Sequence, residues 1–234
     1  MHTVLSPCAG VEMIPPLIVQ TALERGIHLI AITDHNASAN VAAVMQAAQG
    51  TELVVLPGME LQTREEVHLL CLFDTLEQVF LWQAQVDRLL PNLPNNIEYF
   101  GEQFVVDSTG EFLRREERLL LNSVNLSLED AAAQVTALGG LAIPAHIDRS
   151  ANGLIAILGL IPPGFEALEL SRHLTPAEAR RKYPQTASYP LLQSGDVHLL
   201  DGFLGSTHFE IERPTVAELR LALAGQQGRS MWVD

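Results

Sequence analysis

The sequence has few cysteines and few basic residues, and each shortage excludes a class of protein. Cys8 and Cys71 are the only cysteines among 234 residues, too few for a disulfide framework. Fourteen Lys and Arg residues stand against 28 Asp and Glu residues, which gives a net charge of −14. So acidic a chain lacks the positive surface with which proteins coat a long nucleic-acid duplex, and we exclude that role.

Long apolar runs and targeting signals are also lacking. No apolar run reaches the roughly 18 residues needed to cross a bilayer, and the N-terminus has no basic region followed by an apolar stretch. With 47% hydrophobic and 18% charged residues, the chain is nevertheless too apolar to be disordered. We therefore predict a globular cytoplasmic protein with one domain over residues 1–234 and no membrane partner.

Short apolar runs alternate with segments of helical spacing, the pattern of an α/β protein. Helices are predicted over 16–25, ending before Gly26, over 42–48, and after the capping residues Ser127 and Thr215. Runs rich in Val, Ile and Leu indicate buried strands. The predicted strands are 27–33, 53–56, 67–73, 141–143 and 167–170. This alternation predicts a largely parallel sheet, either open or closed into a barrel.

One region interrupts the alternation. Residues 91–125 contain prolines, asparagines, glycines and a charged cluster, and they exceed the usual length of a connection in a compact domain. We predict an insertion at about 91–125. Two interpretations stay open: a surface excursion, and a lid or flap that contacts substrate.

Residues that bind metals follow several of the apolar runs. His35 closes IAITDHN, Glu60 closes VVLPGMEL, His146 closes LAIPAH, and Asp196 and His198 follow LLQSG. His68 lies inside EVHLLCLF. A lone histidine at a strand end is more often a hydrogen-bonding residue than a ligand, but several such groups at separate runs favour a site, because loops at the carboxyl ends of barrel strands converge. Imidazoles and carboxylates together suit Zn, Mn or Fe, and a carboxylate can bridge two ions.

The motifs as a series resemble those of one known family. In order and spacing, His2-Thr3, Thr33-Asp34-His35-Asn36, Pro57-Gly58-Met59-Glu60, Val67-His68, Pro144-Ala145-His146 and Asp196-Val197-His198 resemble the motifs of the PHP (polymerase and histidinol phosphatase) superfamily. The resemblance implies a distorted (β/α)7 barrel. It also implies two or three divalent metal ions, Zn, Mn or Fe, and hydrolysis of phosphoesters.

The resemblance also implies a role for each matched residue. Glu60 would bridge two ions, with His68 and His146 completing one of them. His2 and Asp196 would contribute to the other, and a third ion would be held by His35 and His198. Asp34 would orient a ligand without binding metal. No catalytic residue is implied beyond the ligands, because a metal-bound water would be the nucleophile.

The chain departs from the family pattern near its start. The first motif normally reads His-x-His on an opening strand, whereas Met1 stands at the x position. Either the first strand is lacking or the start codon lies further upstream, and we favour the second, with an upstream strand ending in Asp-x-His. In the same segment Cys8 stands near a position where many members have an Asp or His. Cys8 is therefore either a thiolate ligand, which favours zinc, or a buried structural cysteine.

Three functional hypotheses follow. The leading one is a metal-dependent phosphoric ester hydrolase that cleaves a small phosphomonoester or a short oligonucleotide end with a metal-bound hydroxide. The alternatives are a non-catalytic metal-binding regulatory module and a hydrolase of carbon–nitrogen bonds. The last usually has a metal-bridging lysine, and the only lysine here, Lys182, follows no strand.

Arg149 follows His146 by three residues and has two interpretations. It either binds substrate phosphate or pairs with Asp148 or another carboxylate.

Overall fold

The structure is a computed structural model that describes all residues from 1 to 234. Helices and strands alternate along most of the chain, which confirms a mixed α/β fold. The helices are α1 (Pro15–Glu24), α2 (Val41–Ala47), α3 (Leu76–Leu89), α4 (Ile97–Phe100), α5 (Leu128–Ala137), α6 (Leu154–Leu158), α7 (Pro176–Lys182) and α8 (Val216–Leu223). The strands are β1 (Leu29–Ile32), β2 (Val54–Gln62), β3 (His68–Leu72), β4 (Phe104–Val106), β5 (Phe112–Arg115), β6 (Leu141–Pro144), β7 (Leu168–Leu170), β8 (Leu191–Gln193), β9 (Thr207–Glu210) and β10 (Ser230–Val233).

The main sheet has the order β1-β2-β3-β6 and is not largely parallel, so that prediction is wrong in part. The pairs β1–β2 and β7–β8 are parallel, but β3 runs antiparallel to both β2 and β6. Only residues 63–67 separate β2 from β3. A parallel connection needs about a dozen residues, so this length permits only a hairpin.

Strand β2 is longer than predicted, and it changes partner midway. Its first part pairs with β1 and its second part with β3. Gly58 lies at the change, where a Cβ atom would come within 3.0 Å of the backbone oxygens of Ile32 and Cys71. The longer strand places Glu60 inside β2, two residues before its end at Gln62, and not beyond the strand.

The predicted helices form close to their expected bounds. Helix α1 ends before Gly26, whose φ of +66° suits the left-handed turn beyond a helix. The hydroxyls of Ser127 and Thr215 accept hydrogen bonds from the backbone of Asp130 and Glu218, which confirms both caps. The full reciprocal capping boxes, however, lie at Thr75 in α3 and Thr175 in α7.

Residues 91–125 contain α4 and an antiparallel β4–β5 hairpin. The segment packs against the N-terminal loop, since Phe104 N donates to Val4 O over 2.9 Å. Asn40 extends this contact through its side chain, which donates to Phe104 O and accepts from Val106 N. The segment therefore lies beside the chain start and the loop after β1.

The largest apolar cluster packs the outer helices, among them α3 with its fully buried Trp82, against β2, β3 and β6. A separate cluster joins α8 to the strands through Leu219 and Leu223. No helix has both the length and the apolar character required to cross a membrane. The helices thus pack on the outside of the strands.

Candidate metal centre

Seven predicted ligands come together at one end of the strands: His2, His35, Glu60, His68, His146, Asp196 and His198. They arrive from separate segments. Met1 O accepts from Thr33 N over 2.8 Å and His2 N donates to Val197 O over 2.9 Å, so the chain start is held between the end of β1 and the loop after β8. His68 joins the group because β3 runs antiparallel, which brings its first residue to the end where the parallel strands finish.

Glu60 lies at the centre, and each of its oxygens faces two imidazoles. Oε1 lies 3.3 Å from Nδ1 of His68 and 3.4 Å from Nε2 of His146. Oε2 lies 3.1 Å from Nδ1 of His35 and 3.4 Å from Nε2 of His2. A carboxylate placed in this way has one oxygen available to each of two neighbouring ions.

Three groups of donor atoms are compact enough to hold an ion, with all atoms of a group within 4.8 Å of one another. The groups are His2, Glu60 and Asp196; His35, Glu60 and His68; and His2, His35 and His198. The first corresponds to the expected grouping. His35 belongs to both of the other groups, once with Glu60 and His68 and once with His2 and His198. The resemblance assigns His35 only to a third ion, together with His198.

Several buried polar atoms in the cluster have no hydrogen-bond partner within the protein, as expected of atoms that bind a metal ion. Nδ1 of His35, Oε2 of Glu60 and Nδ1 of His146 are buried and make no hydrogen bond. His35 and Glu60 are close but lack hydrogen-bond geometry. Buried polar atoms without partners are costly, and a set of imidazole nitrogens and carboxylate oxygens is what Zn, Mn and Fe bind.

The charges in the cluster depend strongly on one another. Burial raises the pKa of Glu60, but the imidazoles of His68, His146 and His2 outweigh that effect and hold its pKa well below the usual range. Burial lowers the pKa of His2, yet the hydrogen bond to Asp196 and the nearby carboxylate of Glu60 raise it to about 9. For His35, burial and the neighbouring His2 lower the pKa well below its usual value. Glu60 is therefore an anion and His35 a neutral imidazole, the states in which both bind metal, whereas a metal ion that binds His2 would displace its proton.

Asp34 holds the chain start and one ligand in place. Its carboxylate accepts hydrogen bonds from Thr3 N at 2.7 Å and from the hydroxyls of Thr3 and Ser6, both at 2.8 Å. Ser6 Oγ lies 3.0 Å from Nδ1 of His2 and accepts from His35 N at 3.1 Å. Asp34 thus reaches two predicted ligands through Ser6, a residue to which the sequence pattern assigned no role.

We expect Asp34→Asn to lower metal affinity about 10- to 100-fold, the usual cost of disturbing a group that orients a ligand. The amide cannot accept all three hydrogen bonds, and its NH2 group faces donors. Titration with Zn²⁺ or Mn²⁺ measures the effect, with the exposed Asp201→Asn as the control. Wild-type affinity in a folded Asp34→Asn protein would contradict the positioning role.

Arg149 and Cys8 lie at the margin of the cluster. Arg149 Nη1 forms an ion pair with Asp196, and its side chain is 48% exposed, while Asp148 instead accepts hydrogen bonds from Ser171. Cys8 is exposed and belongs to none of the three donor groups. Although part of its surface is exposed, surrounding atoms desolvate the thiol, and this desolvation together with the charge of Glu60 raises the pKa of Cys8 to about 12, which disfavours a thiolate.

Glu169 is the residue that sequence reasoning missed. It lies in β7, only 3% exposed, and its carboxylate accepts from His146 N at 3.1 Å and from the hydroxyl of Ser194. Burial raises its pKa to about 7. The only signal in the sequence was a carboxylate flanked by Leu168 and Leu170 in a predicted strand, which does not reveal what the carboxylate contacts.

A cavity of about 680 Å³ adjoins the cluster. Its lining includes His2, Glu60, Glu169 and Asp196, together with many apolar side chains such as Leu56. A volume of this size is typical of sites for small ligands. Three of the seven candidate ligands therefore border a preformed space, which also extends to His28 and Glu52 before β1 and β2.

Comparisons with known proteins find similar folds but no similar sequence family. No known family matches the sequence, and no curated protein matches it. Among solved structures, the lesion-specific Endonuclease Q from Pyrococcus furiosus matches with a TM-score of 0.70 and 22% identity, over 99% of this chain and 56% of that one. Endonuclease Q in complex with a 27-mer duplex carrying an abasic lesion matches with a TM-score of 0.66 and 20% identity, over 98% of this chain. The chain spans 56% of the length of these proteins.

Two further structures differ in their described chemistry. A two-domain protein from Bacteroides vulgatus, which contains a predicted PHP-like metal-dependent phosphoesterase, has a TM-score of 0.51 and 14% identity over 100% of this chain and 63% of that one. An amidohydrolase from Chromobacterium violaceum has a TM-score of 0.57 and 19% identity over 91% of this chain and 90% of that one. The resemblance to PHP-like metal-dependent phosphoesterases is thereby confirmed at the level of the fold.

Proposed function

We propose that this protein is a metal-dependent phosphoesterase that hydrolyses a small phosphomonoester or the end of a short oligonucleotide. The observation that carries the proposal is the buried Glu60 carboxylate, whose two oxygens each face two imidazoles. A buried carboxylate with a structural role accepts hydrogen bonds from its neighbours, as Asp34 does, whereas Oε2 of Glu60 accepts none. A carboxylate with two imidazoles beside each of its oxygens is suited to bind two adjacent ions. Two such ions can hold the oxygens of a phosphoryl group.

The ligands proposed are those named from the motifs: His2, His35, Glu60, His68, His146, Asp196 and His198. Two or three divalent ions bound there would lower the pKa of a coordinated water and stabilise negative charge on phosphate oxygens. The protein's own groups then have clear tasks. Glu60 and Asp196 offset the cations, Asp34 holds His2 through Ser6, and Arg149 is positioned to bind a substrate oxygen. Catalysis requires no further nucleophile from the chain.

We further infer a single domain with a distorted (β/α)7 barrel and an insertion at about 91–125. Hydrogen bonds link seven segments into a ring, which supports this inference. The chain start joins β1 through Thr33, and β1, β2, β3 and β6 form one sheet. Ile147 N donates to Glu169 O in β7 over 2.9 Å, β7 pairs with β8, and His2 N donates to Val197 O just after β8.

The acidic composition favours small phosphate substrates over long duplexes. Binding a duplex depends on neutralising many phosphates, and a net charge of −14 opposes that. Endonuclease Q was solved with a 27-mer duplex, so lesion-bearing DNA is a necessary comparison among substrates. The acidic chain predicts that short oligonucleotide ends and mononucleotides are hydrolysed faster than such a duplex.

A second candidate is a non-catalytic metal-binding regulatory module, which would bind ions and hydrolyse nothing. The cavity that borders His2, Glu60 and Asp196 favours catalysis, since a structural metal site is closed. Hydrolysis of a carbon–nitrogen bond is less supported, because Lys182, the only lysine, is exposed in α7 and outside the cluster.

A substrate screen tests the proposal directly. The purified protein is incubated with mononucleotides, sugar phosphates, short oligonucleotides and an abasic duplex, in Mn²⁺ and in Zn²⁺, and released phosphate and cleaved strands are measured. We expect metal-dependent hydrolysis of at least one small phosphoester. Metal binding without hydrolysis of any phosphoester would favour the regulatory module, and hydrolysis of amides alone would favour the amidohydrolase alternative.

Arg149 allows a sharper test of phosphate binding. We expect Arg149→Ala to raise KM about 10- to 100-fold, because the loss of a charged hydrogen bond costs about 1.5–3 kcal/mol. Arg149→Lys should restore only part of the affinity, because Lys lacks the two-pronged geometry. Steady-state kinetics and metal stoichiometry are measured together, with the exposed Arg64→Ala as the matched control. An unchanged KM accompanied by weaker metal binding would limit Arg149 to its ion pair with Asp196.

A further inference from the structure

Two of the proposed ligands adopt a positive φ, a backbone conformation that few residues other than glycine adopt. His146 has a φ of +29° and Asp196 a φ of +48°. Residues other than glycine seldom adopt positive φ, and such strain persists only where surrounding contacts enforce it. His146 follows β6 and Asp196 follows β8, so the two conformations belong to different loops.

Glu169 lies between these two loops and contacts both. From β7, the strand paired with β8, its Oε2 accepts the backbone N–H of His146 at 3.1 Å, and its Oε1 accepts the hydroxyl of Ser194, two residues before Asp196. Its backbone oxygen also accepts from Ile147 N at 2.9 Å. One buried side chain therefore connects the two segments that present ligands from opposite sides of β7.

The contacts act on backbone and loop and not on the metal-binding atoms. Glu169 belongs to none of the three donor groups, although it lines the same cavity as Glu60 and Asp196. Both of its oxygens serve as acceptors, and a carboxylate is the one side chain that offers two equivalent acceptors at this spacing. A buried acid in an otherwise apolar strand is costly unless hydrogen bonds compensate for the loss of water, and these contacts supply them.

We propose that Glu169 is a positioning residue that holds the His146 and Asp196 loops in their strained, ligand-presenting conformations. The inference rests on the proposed function in that it takes His146 and Asp196 as ligands. It adds a residue that binds neither metal nor substrate but sets the distance between two ligands. Removing it allows both loops to relax toward ordinary backbone angles, and the affinity for metal falls.

The test measures Zn²⁺ and Mn²⁺ affinity by titration in the full chain without substrate. We expect Glu169→Ala to weaken binding about 10- to 100-fold, and Glu169→Gln, whose amide keeps one acceptor, to weaken it less. Ser194→Ala removes only one contact and should have a smaller effect. The double variant Glu169→Ala/Ser194→Ala should be no worse than Glu169→Ala, because Ser194 acts through Glu169.

Gln103→Ala is the matched control. Gln103 is also buried and also holds backbone groups, donating to Glu116 O and Arg118 O and accepting from Leu120 N, but it contacts no loop that carries a ligand. It should lower the melting temperature and leave metal affinity unchanged. If Glu169→Ala behaves in the same way, or if folded Glu169→Gln and Ser194→Ala both bind metal like the wild type, the positioning role is overturned.

Failure of the proposed function gives a different result. A protein that hydrolyses no phosphoester but loses metal affinity in Glu169→Ala leaves the positioning role standing. A protein that hydrolyses phosphoesters, with a Glu169→Ala variant of wild-type affinity, supports the function and overturns the inference. A wild-type chain that binds neither ion overturns both.

Discussion

Glu60→Gln is expected to abolish hydrolysis and to lower bound metal. The amide keeps the shape of the side chain but loses the charge, and only one of its two terminal atoms can bind an ion. Metal ions supply several kcal/mol of transition-state stabilisation, so losing a shared ligand should reduce the rate about 1,000-fold or more. Metal content by elemental analysis and hydrolysis of the best substrate from the screen are measured on the same preparation.

The control is Glu117→Gln, which makes the same chemical change at an exposed residue far from the ligands in the sequence. It should retain full activity and metal content. A Glu60→Gln protein with unchanged activity and stoichiometry would rule out the bridging role. Reduced activity with unchanged stoichiometry would mean that Glu60 acts on substrate and not on the ions.

Bound metal is expected to stabilise the folded protein substantially. The ligands come from segments scattered between His2 and His198, so the unfolded chain does not form the site. At a free ion concentration about 1,000 times Kd, binding adds about 4 kcal/mol to the free energy of unfolding. For a chain of this length that corresponds to a rise in melting temperature of about 8–16 °C. Thermal melts with and without a chelator measure the difference.

Two histidine variants separate this effect from general stabilisation by salts. His68→Asn removes a buried ligand and should lose most of the metal-dependent rise, whereas His173→Asn changes an exposed histidine outside the cluster and should keep it. Equal rises in the two variants would show that the ions act elsewhere. The absence of any rise in the wild type would contradict a buried metal site.

Much of the fold and the position of the candidate site could be predicted from local sequence. The periodicity of α1 and α2 and the Ser127 cap of α5 are local properties. The bounds of α1 and α2 agree with prediction to within one residue, and α5 begins after Ser127 as predicted. The ligand-type residues were recognisable only as a series, because any one His at a strand end is more often a hydrogen-bonding residue, whereas several at separate apolar runs favour a site. Their common location followed from a general rule about strand ends, and the structure brings all seven together.

What remained hidden depended on contacts between distant segments. The direction of β3 decided how His68 reaches the cluster, and the extension of β2 decided that Glu60 lies within a strand. Ser6 and Glu169 looked ordinary in sequence because their roles arise from partners at positions 34 and 146, which no local pattern reveals.

The sequence by itself determined which chemical groups are present: it is an acidic α/β chain in which imidazoles and carboxylates follow the strands. Only the tertiary structure decided which oxygen of Glu60 faces which imidazole, that Arg149 pairs with Asp196 and not Asp148, and that Cys8 lies outside the donor groups. The physical reason is that periodicity and capping act within a few residues, whereas a metal centre depends on distances of a few ångströms between segments that only the packed sheet brings together.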